Sequence, residues 1–258
     1  MDLQLDGKLA LVTGSTAGIG FAIAESLARE RCRVIVNGRT KARVDAAVAK
    51  IPGAVGLAAD LGTSAGIAEA IRWFPDVDIL INNMGIFEPK AFEAIPDEDW
   101  FRFFEVNVLS GVRLSRHYLP RMKAANWGRI VFISSESAVQ IPAEMIHYGM
   151  TKTAQLAISR GLAETTAGTR VTVNSVLPGP TASEGVEEFV GRLAADQKTD
   201  RASVEREFFK NIRPSSLLRR FATPEEVAAL VTFVASPLSA ATNGAALRVD
   251  GGVVRSII

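Results

Sequence analysis

Short apolar runs alternate along this chain with longer segments that carry apolar residues at helical spacing. Such runs are typical of buried strands, and the segments between them are typical of amphipathic helices. Strands are predicted at residues 9–12, 33–37, 54–59, 78–82, 128–134, 171–177 and 245–249. Helices are predicted at 19–28, 42–51, 63–74, 97–105, 107–124, 147–165 and from 224 onward. This alternation predicts an α/β fold of the Rossmann type, a doubly wound parallel sheet of seven strands with helices on both faces.

The start of the last helix is marked by its side chains. Thr223 is expected to cap the helix and Pro224 to occupy its first position. Glu226 lies three residues after Thr223, the spacing of a capping box.

The segment at about 181–216 breaks the alternation of strands and helices. It is charged and has only short amphipathic pieces, such as 186–190 and 204–212. It follows the sixth strand, and ligands bind at the carboxyl ends of strands in such sheets. We predict that it is a substrate-binding lid on a single domain spanning residues 1–258. A surface insertion without a function is the alternative.

Composition and charge narrow the class of protein. The chain has 258 residues, 48% of them hydrophobic, which is enough for one large α/β domain. Its net charge of +1 gives no reason to expect nucleic acid or a membrane as a partner. Basic residues at helical spacing between 113 and 123 are expected to form a solvated helix face.

Cysteine and histidine counts bear on location and metal binding. Cys32 is the only cysteine, so no disulfide can form within the chain, which fits a reducing compartment. The first residues lack the pattern of an export signal, and the longest helix-like apolar run, 227–235, is too short to span a bilayer. A cytoplasmic protein is expected. One cysteine and two histidines make a metal site implausible, and none is expected.

A glycine-rich stretch, TGSTAGIG at 13–20, lies between the first strand and the first helix. Glycine permits a tight turn there and lets a pyrophosphate approach the backbone. The free N–H groups of the helix's first turn then face the anion. The spacing is G-x-x-x-G-x-G instead of the common G-x-G-x-x-G. We predict a dinucleotide phosphate site, and a tight turn that binds nothing is the alternative.

The end of the second strand indicates which dinucleotide is bound. NAD sites commonly have a carboxylate there for the ribose hydroxyls. This chain has no carboxylate, and Arg39 follows, whose guanidinium suits a 2′-phosphate. Ser15 and Thr40 are expected to add hydroxyl donors. NADP(H) is therefore predicted. NAD(H) is the alternative, because Arg39 is also explained as an ordinary surface arginine and because Ala17 offers no second basic residue beside the turn.

Tyr148 and Lys152 are four residues apart on a predicted helix and therefore share one face. An ammonium about 4 Å from a phenol, at an effective dielectric of about 20, is worth roughly 4 kcal/mol. That would lower the tyrosine pKa by about three units, toward a value useful for proton transfer. Ser135, at the end of the fifth strand, is placed to bind the same substrate oxygen. Alone, a pair of this kind is usually structural.

Three further motifs end neighbouring strands: NNMG at 82–85, SS at 134–135 and PG at 178–179. With TGSTAGIG and YGMTK, they resemble the one-domain branch of the short-chain dehydrogenase/reductase family. That family has T-G-x-x-x-G-x-G, N-N-A-G and Y-x-x-x-K patterns and a C-terminal motif that VDGG at 249–252 fits. The resemblance covers nearly the whole chain, with Met84 in place of alanine.

The resemblance implies a role for each of four catalytic residues. Tyr148 would be the acid/base, and Ser135 would orient the substrate carbonyl. Lys152 would bind the nicotinamide ribose and lower the tyrosine pKa. Asn107 would hold a water in a proton relay. Cofactor contacts are implied for Gly14, Ser15, Thr16, Gly18, Ile19, Gly20, Arg39, Asp60, Leu61, Asn82, Gly85, Tyr148, Lys152, Pro178, Gly179, Thr181 and Ser183.

The substrate pocket is expected between Ser135 and Tyr148 and in the lid. Its mainly apolar side chains favour a hydrophobic ketone or alcohol, while Gln140 and Glu144 leave recognition of a polar group open. The expected pocket residues are Ser137, Gln140, Ile141, Met145, Ile146, Pro180, Val186 and Phe189.

The predicted activity is hydride transfer between NADP(H) and a carbonyl or secondary alcohol. The alternatives are an NAD-dependent alcohol dehydrogenase of the same family and a cofactor-binding regulatory protein with little turnover. The resemblance also implies a homotetramer, or at least a homodimer, in which the helices from Asn107 and His147 pair across the interface. Their apolar faces are equally explained as internal core.

Overall fold

The structure is a computed structural model that describes residues 1–186, 190, 191, 194 and 199–257. Its strands are β1 (Leu9–Val12), β2 (Arg33–Gly38), β3 (Val55–Ala58), β4 (Ile79–Asn82), β5 (Gly128–Ile133), β6 (Val171–Pro178) and β7 (Ala246–Val249). They form one parallel sheet in the order β3-β2-β1-β4-β5-β6-β7. The predicted seven-stranded, doubly wound sheet is confirmed.

The helices cover both faces of this sheet. They are α1 (Gly18–Arg29), α2 (Lys41–Val48), α3 (Ser64–Trp73), α4 (Asp97–Phe104), α5 (Ser110–Ala124), α6 (Ile146–Glu164), α7 (Arg201–Glu207) and α8 (Pro224–Val234). The expected capping box starts α8, because Glu226 N–H donates to Thr223 Oγ1 and Thr223 N–H donates to Glu226 Oε2. α2 ends three residues before its expected end, in turns that carry the chain to buried Ile51.

Two apolar layers hold the helices against the sheet. On one face, Ile23 and Leu27 of α1 pack with Val231 of α8. On the other face, Ile67 of α3 packs in a cluster with Leu114 of α5. All of these side chains are buried, and every residue of β5 and β6 is buried as well. Full burial on both faces is typical of central parallel strands, and here it includes polar residues such as Asn174 of β6.

A π-helical segment, Glu105–Leu109, joins α4 to α5, so the two predicted helices are one continuous stretch. Asn107 lies in this segment and is 1% exposed. π-Helical turns are rare and frequently occur at functional sites. The segment directs Asn107 toward Ile86, which follows β4, and Thr151 of α6.

Cys32, just before β2, is buried against the N-terminal segment. Its Sγ donates to the carbonyl of Leu5 over 3.4 Å. Burial raises the pKa of its thiol to about 12. The thiol is therefore almost entirely protonated at neutral pH.

The strand order reverses between β1 and β4, and the crevice at such a reversal is where α/β sheets bind ligands. The glycine-rich turn follows β1, and the NNMG stretch follows β4, so both meet at this crevice. Within the described residues, no helix has the length and apolar character needed to cross a membrane.

Candidate active site

The glycine-rich turn is built so closely that side chains would not fit. Gly14 and Gly18 have φ of 59° and 55°, in the left-handed region that favours glycine. A Cβ on Gly20 would overlap the Gly14 carbonyl oxygen. Asn83 holds the turn to the end of β4, because its Nδ2 donates to the carbonyls of Thr13 and Gly14 over 3.0 and 3.1 Å. This cradle of bare backbone before a helix fits a dinucleotide phosphate.

A groove of about 530 Å³ opens above this turn, and we call it the glycine-turn groove. Arg39 and Thr40 after β2, and Asp60 after β3, line it. The expected cofactor residues that it brings together are Gly14, Thr16, Gly18, Ile19, Gly20, Arg39, Asp60, Gly85 and Ser183.

Ser15 does not face the groove, and the prediction that its hydroxyl binds a 2′-phosphate is wrong. The side chain is fully buried. Its Oγ donates to the Val12 carbonyl over 2.7 Å and accepts from the N–H of Asn37 over 2.9 Å. The hydroxyl instead ties the glycine-rich turn to β2.

The side chains of Leu61 and Asn82 also do not line either cavity. Leu61 is 1% exposed and belongs to the apolar layer beneath α3. Asn82 is 4% exposed and points at α5, where its Nδ2 donates to Ser115 Oγ over 3.3 Å. In both cases the resemblance identified the right strand end, but the side chain faces the interior.

A second cavity, of about 390 Å³, is lined by both Tyr148 and Lys152. We call it the tyrosine cavity. Ile19, Gly85 and Ser183 line both cavities, so the two adjoin. The expected cofactor and catalytic residues at the tyrosine cavity are Ile19, Gly85, Ser135, Tyr148, Lys152, Pro178, Gly179, Thr181 and Ser183.

Lys152 is anchored away from the tyrosine hydroxyl. Its Nζ donates to the Ile133 carbonyl over 2.9 Å and lies 5.6 Å from the centre of the Tyr148 ring. Burial lowers the Lys152 pKa to about 8, against the opposing effect of Glu136. Burial and then Glu136 raise the Tyr148 pKa above its usual value. The predicted lowering of the tyrosine pKa is therefore wrong for the groups present in the structure.

Gln155 links Lys152 to Asn107. Lys152 Nζ lies 3.4 Å from Gln155 Oε1, and Gln155 Nε2 donates to the Asn107 carbonyl over 2.6 Å. The Asn107 side chain is bound to Ile86 and to Thr151 Oγ1. The main-chain carbonyl and the side chain of Asn107 therefore both have protein partners. Sequence reasoning missed Gln155, although it lies on the same helix face three residues after Lys152.

A buried carboxylate, Glu136, contacts Ser135 and was not expected. Ser135 Oγ donates to Glu136 Oε2 over 2.5 Å. A carboxylate only accepts hydrogen bonds, so the single proton of Ser135 points at Glu136. Ser135 Oγ also accepts from the N–H of Ser137 over 3.1 Å. The hydroxyl is thereby fixed in orientation on both sides.

Arg213 completes this polar group from the other side of the cavity. Its Nε lies 3.5 Å from Glu136 Oε1, and its Nη1 lies 3.0 Å from Glu144 Oε1. The Glu136 and Arg213 side chains are only 7% and 11% exposed. The sequence signal for Glu136 was its position next to Ser135, but nothing in the sequence paired it with an arginine far along the chain.

The substrate pocket is correct in part. Ser137, Met145, Pro180 and Val186 line the tyrosine cavity. Gln140 and Ile141 are exposed beyond the turn after β5, and half-buried Ile146 does not line the cavity either. Phe189 lies outside the described residues. Glu144, considered from the sequence for recognition of a polar group, also lines the cavity. Lining residues that sequence reasoning missed are Ile86, Phe87, Pro89, Glu136, Phe208, Ile212, Arg213 and Phe221.

Fold and site together are those of a known class of enzyme. The sequence model of the short chain dehydrogenase family matches residues 8–192. The chain belongs to this family of oxidoreductases, as its resemblance implied.

Several relatives match the chain over nearly its whole length. An uncharacterized oxidoreductase of Bacillus subtilis, YvaG, is 51% identical, and the match covers 100% of both chains. A D-beta-hydroxybutyrate dehydrogenase of Cupriavidus necator is 36% identical, over 97% of this chain and 99% of its own. The structure of L-sorbose reductase from Gluconobacter frateurii, complexed with NADPH and L-sorbose, matches with a TM-score of 0.93 at 29% identity, covering 100% of both chains.

Proposed function

We propose that this chain transfers a hydride between NADP(H) and a carbonyl or secondary alcohol, with Tyr148 as the acid/base. The observation that carries this proposal is that the two cavities adjoin and share the lining residues Ile19, Gly85 and Ser183. A dinucleotide whose phosphates lie on the glycine-rich turn would extend from there toward Tyr148. When bound, the nicotinamide supplies or accepts the hydride.

The chain's own residues handle the substrate oxygen and its proton. Tyr148 donates its hydroxyl proton to the oxygen of a carbonyl, or removes the proton of an alcohol. Lys152 is held by Ile133 and Gln155. From that position Lys152 would bind the nicotinamide ribose.

Ser135 positions the same oxygen. Because Glu136 holds the Ser135 proton, the remaining lone pair of the Ser135 hydroxyl is what faces a bound substrate. That arrangement suits a hydroxyl donor, such as a substrate alcohol or the Tyr148 hydroxyl. A carbonyl would need the Ser135 proton to turn away from Glu136.

The preference for NADP(H) is proposed from the residues at the end of β2. Asn37 stands where a carboxylate would bind ribose hydroxyls, and its amide is already used by Gly14, Leu57 and Ala59. Arg39 and Thr40 line the groove beside it. L-sorbose reductase, a structural neighbour, was solved with NADPH, which supports the same choice here.

The lining of the tyrosine cavity supports a substrate with an apolar body. Phe87 packs against Tyr148 with ring centres 6.3 Å apart, and Phe208 and Phe221 come from the segment before α8. We propose that residues 181–216 form the substrate-binding lid of a single domain, since Val186, Phe208 and Arg213 all line this cavity.

We also propose a location and an assembly. A single cysteine, which is free and buried, supports a cytoplasmic protein. A homotetramer or homodimer follows from the family, although Leu119, Ile158 and Leu162 pack at the internal core. Light scattering of the purified protein measures the assembly directly.

Calorimetric titration with NADPH and separately with NADH tests the proposal. Tighter binding of NADPH is expected, because only NADPH carries a 2′-phosphate for Arg39. Tighter binding of NADH would contradict the cofactor preference but leave the proton chemistry in place. Binding of neither would contradict the enzymatic proposal as a whole.

A further inference from the structure

An ion pair crosses the glycine-turn groove. Arg43 of α2 and Glu184, which follows β6, meet with Nη2 and Oε2 2.6 Å apart. Both residues line the groove. A Cβ on Gly18 would lie 3.3 Å from Ser183 Cβ, so the chain at Ser183 and Glu184 lies directly over the glycine-rich turn. The pair therefore spans the groove from the β2 side to the β6 side.

The basic side chains beside this pair differ in their partners. Lys41 is paired with Asp45 on the same helix, over 2.6 Å. Arg43 is paired with Glu184. Among the described residues, Arg39 has no ion-pair partner. Two guanidinium groups thus stand at the end of β2, and only one of them holds an anion.

We propose that the 2′-phosphate of NADP(H) takes Arg43 from Glu184, so that Arg39 and Arg43 together bind the phosphate. The proposal rests on the proposed NADP(H) preference and identifies the residues that set its strength. The carboxylate of Glu184 is a stand-in for the phosphate, since both are anions with oxygens that accept from a guanidinium. A phosphate monoester carries about two negative charges and three acceptor oxygens, and so it competes well with one carboxylate.

The exchange explains how this chain binds a 2′-phosphate with Ala17 beside the glycine-rich turn instead of a basic residue. Arg43 supplies the second cation from α2. Glu184 opposes the phosphate in two ways, because it must release Arg43 and because it remains nearby as a like charge. NAD(H) has a hydroxyl at this position and leaves the ion pair intact. Glu184 therefore limits discrimination between the two cofactors, and Arg43 increases it.

Binding titrations of the full chain test this exchange without an enzymatic substrate. The variants are Glu184→Gln, Arg43→Gln and the double variant, each titrated with NADPH and NADH at one ionic strength. Glu25→Gln is the matched control, because it breaks an ion pair with Arg29 on α1 outside the groove and leaves Arg43 with Glu184. Thermal unfolding without cofactor verifies that each variant is folded.

Glu184→Gln is expected to tighten NADPH binding about threefold to fivefold and to change NADH binding less than about twofold. Arg43→Gln is expected to weaken NADPH binding about tenfold, with little effect on NADH. In the double variant the effect of Glu184→Gln is expected to vanish, because the exchange needs Arg43.

Three results would overturn the exchange: an equal gain for NADPH and NADH in Glu184→Gln, a gain no larger than that of Glu25→Gln, or a gain that persists without Arg43. The wild-type titration separates this from the proposed function. If the wild type prefers NADH, the cofactor preference fails, whereas the ratios between variants still decide whether Glu184 and a 2′-phosphate compete for Arg43.

Discussion

The glycine-turn groove and the tyrosine cavity meet at Gly85 but are built in different ways. The groove is formed largely by backbone at the ends of adjacent strands, with glycines that leave no room for a Cβ. The tyrosine cavity is formed by side chains from β5, α6 and the segment before α8, which are far apart in sequence. A site made of backbone depends on a short local stretch, whereas a site made of side chains depends on how distant segments pack.

Among variants that change one cavity and leave the other intact, Tyr148→Phe is expected to have the largest effect. Removal of the phenol hydroxyl is expected to lower turnover about a thousandfold, because no other group at that position carries the proton. NADPH affinity is expected to stay within about twofold. Steady-state turnover over a panel of carbonyl compounds and calorimetric titration measure both quantities.

Tyr118→Phe is the matched control for this change. Tyr118 is the only other tyrosine, and its hydroxyl donates to the Phe74 carbonyl over 2.8 Å in the apolar layer that also holds Ile67. Its loss is expected to lower the free energy of unfolding by about 1 kcal/mol and to leave turnover unchanged. Turnover in Tyr148→Phe above about one tenth of the wild type would refute the acid/base assignment.

Gly20→Ala is expected to weaken binding of NADPH in the glycine-turn groove. Its methyl group would overlap the Gly14 carbonyl, so the turn must shift and the Kd for NADPH is expected to rise at least about tenfold. Gly161→Ala in α6 is the control, since a Cβ there has no heavy atom within 4 Å. An unchanged Kd in Gly20→Ala would show that the groove tolerates a side chain and is not the phosphate site.

A smaller effect, confined to the tyrosine cavity, is expected from Glu136→Gln. The change removes the charge that pairs with Arg213 and replaces one carboxylate oxygen with an NH2 group, so the hydrogen bond that fixes the Ser135 proton loses its charged acceptor. Turnover is expected to fall about fivefold, with NADPH affinity unchanged. Glu144→Gln also weakens the contact with Arg213 but does not touch Ser135, so it is expected to have a lesser effect. Equal losses in the two variants would assign the effect to Arg213 and not to Ser135.

The features that the sequence predicts correctly are local ones, like those that form the glycine-turn groove. The glycine-rich turn, the capping box at Thr223 and the shared face of Tyr148 and Lys152 each lie within a few residues, and their geometry follows from local spacing. The sheet followed from the alternation of apolar runs with helical segments. Each of these features follows from a pattern within a short stretch of sequence or from a regular alternation along it.

The features that were missed depend on contacts between separate elements. Arg213 reaches Glu136 across the tyrosine cavity, and Arg43 reaches Glu184 across the groove, yet neither pair is close in sequence. Ser15 was assigned to the phosphate because its position was right, but the adjacent β2 backbone takes its hydroxyl. The expected direction of the Tyr148 pKa shift is wrong for the same reason. Burial and Glu136 raise this pKa, and the spacing of Tyr148 and Lys152 in the sequence indicates neither.

The buried thiol of Cys32 has a practical consequence for experiments on this protein. Because its pKa is raised to about 12 and its side chain lies in the interior, it reacts slowly with maleimides and iodoacetamides. A cysteine introduced at an exposed position would then be the one fast-reacting thiol on the chain. Fluorescent or spin labels can therefore be attached at a single chosen site without first removing the native cysteine.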